Sequence, residues 1–137
     1  MLKVFPVQDK AEQAALCERC GVKFDADLLA YQATVDGRFV GVCQFKLHPD
    51  GGILYDLAPL KGEDPNQEAI FVMGRAALNF IDLCGTHQAY FDGDVTVPGQ
   101  TMLRAIGFRP DESQNGRLGM DLTDFFTSPC KLCGSKS

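Results

Sequence analysis

The hydrophobic period of this chain switches near Pro65, and that switch constrains the fold more than any other feature. Ahead of it the pattern is that of strands. Leu28 to Val35 alternates and ends at Asp36-Gly37, a dipeptide suited to a tight hairpin. Phe39 to Leu47 reads as the returning strand, with Phe39, Gly41, Cys43, Phe45 and Leu47 on one face and Gln44 and Lys46 on the other. Pro49-Asp50-Gly51-Gly52 turns the chain again, and Ile53 to Leu60 completes an antiparallel meander. Beyond the switch, Ile70, Met73, Ala77, Phe80, Ile81 and Cys84 recur at helical spacing. Asp64 is placed to cap that helix, Pro65 to open it and Gln67 to complete a capping box, with Gly85 as the stop.

The flanking segments extend this frame. Residues 2–7 read as a strand, and Asp9-Lys10-Ala11-Glu12 as the start of a helix running to Cys20 and stopped by Gly21. Ala89-Tyr90-Phe91 is a short strand. Gly99 to Ile106 is a short helix, with Gly107 as a left-handed cap and Phe108 as its apolar closure. Gly116 to Leu122 is a last strand. Helices interrupting a mostly antiparallel sheet predict a mixed α/β (α+β) fold, and the unit from Ile53 to Phe91 predicts one crossover between parallel neighbours. The expected organisation is one domain over residues 1–122 and a polar tail over 123–137.

Charge and composition exclude several functions. A net charge of -5 without a Lys/Arg cluster argues against a nucleic-acid surface. No apolar run approaches the roughly 20 residues of a membrane span. Met1 to Val7 is too short, and too soon broken by Pro6, to read as a signal peptide. The expectation is therefore a cytoplasmic protein with reduced thiols. Cys43 and Cys84 read as small buried hydrophobes. Cys17-Glu18-Arg19-Cys20-Gly21 and Cys130-Lys131-Leu132-Cys133-Gly134 are two CxxCG units, a spacing that lets paired thiolates reach one tetrahedral zinc ion. Cys17, Cys20, Cys130 and Cys133 would then form a closed structural zinc site; surface thiols are the plainer alternative.

The order strand, helix, meander, crossover helix, strand, short helix, Gly-Phe, strand resembles the GCN5-related N-acetyltransferase (GNAT) superfamily over about residues 2–122. Its local marks are Arg75-Ala76-Ala77-Leu78-Asn79-Phe80 and Leu103-Arg104-Ala105-Ile106-Gly107-Phe108. The resemblance implies a GNAT-like, mostly antiparallel sheet with one parallel crossover and flanking helices. It also implies transfer of acetyl from acetyl-CoA to an amine of a small molecule or peptide. A backbone N–H on Leu57-Ala58-Pro59-Leu60 would polarise the thioester carbonyl, and the pyrophosphate would sit at the helix start near Pro65. The cofactor set implied is Leu57, Ala58, Leu60, Lys61, Gln67, Glu68 and Ala69. Asp56, placed by alternation with Leu54 and Ala58, is the candidate base, and Tyr90 the candidate proton donor.

The chain departs from the family at the phosphate loop. Where the family has Gln/Arg-x-x-Gly-x-Gly/Ala, this chain has Pro65-Asn66-Gln67-Glu68-Ala69-Ile70. Side chains replace both glycines, and Glu63, Asp64 and Glu68 surround the place meant for an anion. Lys61, Gln67 and Arg75 are the candidate phosphate partners, with Arg75 read as a surface cation. Leu103 stands where the family often has a tyrosine that protonates the leaving thiolate. Pro59 lacks an N–H, which points to Ala58, Leu60 or later groups as oxyanion donors. Asp92 and Asp94 are placed to line a substrate cleft. Three expectations follow: a working acetyltransferase with a nonstandard loop; a non-catalytic GNAT-fold module, stabilised by zinc or by homodimer formation through apolar faces; or, behind these, an unrelated α+β module that shares only the order of elements.

Overall fold

The computed structural model describes residues 1–94, 97–123 and 125, with backbone alone at 97 and 98. Four antiparallel strands run in chain order: β1 (Leu2–Pro6), β2 (Leu29–Val35), β3 (Arg38–Lys46) and β4 (Gly52–Pro59). The β2–β3 turn places both Asp36 (φ 52°) and Gly37 (φ 85°) in the left-handed region. A two-residue hairpin needs that geometry to match strand twist, and this dipeptide supplies it at little steric cost. Helix α2 (Gln67–Leu83) then carries the chain over to β5 (Gln88–Phe91), which pairs with β4 in parallel. Helix α3 (Val97–Ile106) leads to a hairpin of β6 (Arg109–Asp111) and β7 (Arg117–Asp121), and β7 lies antiparallel against β5. The sheet order is β1-β2-β3-β4-β5-β7-β6.

Both faces of the sheet are covered. On one face, fully buried Met73, Leu78 and Ile81 of α2 pack on Cys43, Phe45 and Leu54, with Ile106 and Phe108 closing the end beside α3. Burial of each large side chain there contributes roughly 1.5–3 kcal/mol. On the other face, helix α1 (Lys10–Cys20) presses Leu16, Cys17 and Cys20 onto Phe39, Val42 and Ala58. Asp9 caps α1 by accepting from the Ala11 N–H, and Gly21 ends it in the left-handed conformation. Gly107 does the same for α3, with both Gly107 and Phe108 N–H donating to the Leu103 carbonyl.

Two register slips change what alternation predicts. Between β2 and β3 the pairing passes from Ala33↔Gly41 to Thr34↔Phe39, so Val40 has no partner on β2. Phe39 thereby turns away from Gly41 and Cys43 to the α1 face, under the Arg19 guanidinium 4.9 Å from its ring centroid. Between β3 and β4 the pairing passes from Gln44↔Asp56 to Phe45↔Leu54, leaving Tyr55 unmatched. A bulge inserts one residue and flips every side chain beyond it. Leu54 packs under α2, whereas Asp56 and Ala58 face α1. The expectation that Asp56 and Leu54 share a face is therefore corrected.

The α2 start also differs. Its N-cap is Asn66, whose Oδ1 accepts from the Ala69 N–H at 2.9 Å, two residues past the expected cap at Asp64. Strand β6 went unanticipated, because three residues containing Pro110 read as loop.

Candidate active-site cleft

The sheet opens where β5 ends. The last parallel rung joins Leu54 to Phe91, and the Asp92 N–H extends it with a 2.9 Å bond to the Leu54 carbonyl. Among the described residues, strand β4 runs on to Pro59 without a strand partner on that side. A cleft of about 610 Å³ occupies the gap. Its walls are β4 from Tyr55 to Pro59, the segment Phe91 to Asp94, the start of α2 at Pro65 and Gln67, α3 at Met102 and Leu103, and Gly21 to Lys23 after α1. The vertex is held by Gly93, where a Cβ would stand 2.0 Å from the Tyr55 carbonyl oxygen. Only glycine allows two backbones to meet that closely.

Backbone polarity along the open stretch follows from the ladder. The Leu60 N–H donates to the Val40 carbonyl at 2.9 Å, and Ala58 lies opposite Val42. In an antiparallel pair, alternate residues turn both polar groups to the same neighbour. Ala58 and Leu60 are thus committed to β3, and Leu57 and Pro59 face the cleft. Pro59 has no N–H, so Leu57 offers the one amide proton on this stretch. This corrects the sequence reading that named Ala58 and Leu60 as donors.

Asp56 stands beside Leu57 in the same wall. Its Oδ2 accepts from Gln44 Nε2 at 2.5 Å. Burial raises its carboxyl above the ordinary value; Gln44 pulls it down, and Asp94 pushes it up again. Asp92, by contrast, is neutralised by both arms of the Arg117 guanidinium at 2.7 Å. Among the described residues, the carboxylates that line the cleft without that pairing are Asp56 and Asp94.

No family model matches the sequence, and no curated protein matches it. Solved structures do match. An IAA acetyltransferase from Bacillus cereus superposes with a TM-score of 0.70 at 14% identity, over 89% of this chain and 100% of that one. A Bacillus subtilis acetyltransferase in complex with CoA gives 0.68 at 13%, over 89% and 99%. A GNAT family acetyltransferase from Brucella melitensis in complex with acetyl-CoA gives 0.62 at 14%, over 88% of each chain. The chain has the GNAT fold.

Within the GNAT fold the sequence-chosen residues divide. Asp56, Leu57, Ala58 and Gln67 line the cleft, as do Asp92 and Asp94. Leu60 packs in the smaller core, Ala69 is fully buried on the inner face of the first turn of α2, and Glu68 is exposed at the helix start. Lys61 folds back so that its side chain lies over Gly21, while its N–H donates to the Arg19 carbonyl at 3.0 Å. Tyr90 is corrected: it is not among the residues that line the cleft, its ring lies under Arg117, and its hydroxyl accepts from Gln114 Nε2 at 2.7 Å. Arg75 is not a surface cation but sits half-buried between the rings of Phe71 and Phe125, 5.6 and 4.7 Å from their centroids. Leu103 reaches the cleft as a buried apolar wall. Sequence reasoning missed Lys23, Gly93 and Gln44. Gln44 shows its role only once α1 is seen to cover that face of the sheet, where a buried polar side chain must find a partner.

Cys17 and Cys20 are buried in the α1 core, and burial pushes their thiols up to about 11 and about 12. Cys130 and Cys133 lie outside the described residues. Among the described residues no group of three His, Cys, Asp or Glu side chains is placed to hold a metal. Elemental analysis of the purified chain tests the four-cysteine site: one zinc per chain that disappears on Cys130→Ser/Cys133→Ser supports it, and a zinc content unchanged by that double substitution rules it out.

Proposed function

We propose that the chain transfers an acetyl group from a thioester donor to an amine in this cleft. The observation that supports the reading most is the juxtaposition at the end of β5: a Leu57 N–H turned to the cleft and a partly desolvated Asp56 carboxylate in one wall. When bound, the donor supplies the activated acetyl group. Leu57 offers a preorganised hydrogen-bond donor for a carbonyl oxygen that gains charge. Asp56 accepts the proton of the attacking amine, for which a raised proton affinity is the useful direction. Asp56 and Asp94 together favour an acceptor that arrives as an ammonium ion.

The two ends of acetyl-CoA fit differently. The thioester arm suits a cleft edged by open backbone at Leu57 and bare backbone at Gly93. The diphosphate end meets a poorer site. At the α2 start, Asn66 already takes the Ala69 N–H, Pro65 has none to give, and Asp64 and Glu68 are exposed beside it. Glu63 is drawn aside by Arg38, with both carboxylate oxygens 2.9 Å from Nη2. S-acetyl-pantetheine should therefore bind within about tenfold of acetyl-CoA, a difference of at most about 1.4 kcal/mol. Calorimetric titration of both donors tests this, followed by thiol release with a panel of amines. A hundredfold preference for acetyl-CoA would mean the phosphates are recognised. No binding of either at millimolar concentration would favour a non-catalytic GNAT-fold module.

A further inference from the structure

We propose that Gln44, seated from behind by Gln13, is the positioning residue that fixes which oxygen of Asp56 faces the cleft. The inference rests on the reading of Asp56 as the base. Gln44 and Gln13 are fully buried polar side chains between α1 and the sheet. The Gln44 amide uses its whole capacity: Nε2 donates to the Lys23 carbonyl at 2.8 Å and to Asp56 Oδ2 at 2.5 Å, and Oε1 accepts from Gln13 Nε2 at 2.9 Å and from the Asp25 N–H at 3.3 Å. Two of these partners are backbone groups with one possible role each. A flipped amide would set oxygen against oxygen at Lys23 and N–H against N–H at Asp25. The orientation is therefore fixed by the chain itself.

Gln13 is fixed in the same way. Its Nε2 also donates to the Leu28 carbonyl at 3.3 Å, and its Oε1 accepts from the Lys10 ammonium at 3.0 Å. Every donor then points one way: Lys10 to Gln13, Gln13 to Gln44, Gln44 to Asp56. Hydrogen bonds in such a series polarise one another. They hold Oδ2 and leave Oδ1 to take a proton from the acceptor. The donor at the end of the series is neutral. An Arg or Lys there would pair with the carboxylate and depress its basicity, whereas an amide orients it and leaves burial dominant. The other titratable groups around Asp56 are Cys17 and Cys20 of α1, Cys43 of β3, Lys23 and Asp25 after α1, and Asp94 across the cleft.

The test is a carbon-13 NMR titration of the Asp56 carboxyl in the full chain, which needs no substrate. In Gln44→Leu the carboxylate loses a donor to its charged form. The midpoint should rise by about one pH unit. The acid limb of kcat/KM should rise with it, while KM for the acetyl donor stays put. Should Gln44→Leu fail to fold, Gln44→Glu keeps the shape and places a second carboxyl against Asp56; its midpoint should rise further. An unmoved Asp56 midpoint in the folded variant overturns the positioning role. Full activity in Asp56→Asn instead overturns the base reading on which it rests, so the two failures are separable.

Discussion

Asp56→Asn should lose acetyl transfer by roughly a hundred- to ten-thousand-fold, the usual contribution of a positioned general base, with folding and donor binding unchanged. The amide is the same size as the carboxylate, and its oxygen still accepts from Gln44. The substitution thus removes proton affinity and little else. Because burial raises the Asp56 carboxyl in the folded chain, wild-type activity should fall on acidification at a pH above the ordinary carboxylate value of about 3.9. It should hold on the alkaline side of that limb, where Asp56 is charged. Steady-state kinetics over pH, together with circular dichroism of the variant, read both effects. A variant with wild-type kcat would show that the proton leaves by another route.

The second large effect is on structure. Gly93→Ala places a methyl group 2.0 Å from the Tyr55 carbonyl oxygen and 3.0 Å from Cζ of the Phe91 ring. Backbone cannot give way as a flexible side-chain tip can. The strands must part at the vertex of the cleft, at a cost near ~3 kcal/mol, the upper end of ordinary overpacking. The movement also carries Asp92 off Arg117 and Asp94 away from Asp56, so donor affinity should fall with stability. Urea denaturation measures the first and calorimetry the second. An unchanged denaturation midpoint would mean that the close approach at Tyr55 does not exist in solution.

Sequence pattern made the frame legible where one physical preference dominated. Alternation marked the β2–β4 meander, helical spacing marked α2, and Gly107-Phe108 marked the end of α3 because only a left-handed cap with an apolar follower has that signature. The cleft was legible in outline, since Leu57, Ala58, Gln67, Asp92 and Asp94 do line it. Two kinds of detail were hidden. The bulges at Val40 and Tyr55 break the alternation, and no residue type announces them. Their effect is large: the one at Tyr55 turns Asp56 toward α1 and leaves the Leu57 N–H to the cleft. The buried Gln13–Gln44 pair was hidden for the opposite reason. Polar residues at alternate strand positions look like a solvent face until α1 is known to cover it. At the α2 start, Asp64 and Asn66 are both good caps, and local propensity does not choose between them.

The central claim is that the opening between β4 and β5 receives an acyl thioester against the Leu57 amide. A backbone-resolved NMR titration with S-acetyl-pantetheine tests it most directly. The amide signals of Leu57, Asp92 and Gly93 should move together and saturate, with Leu57 shifting downfield as it gains an acceptor. Saturable shifts confined to other parts of the sheet, or none at millimolar donor, would contradict the account.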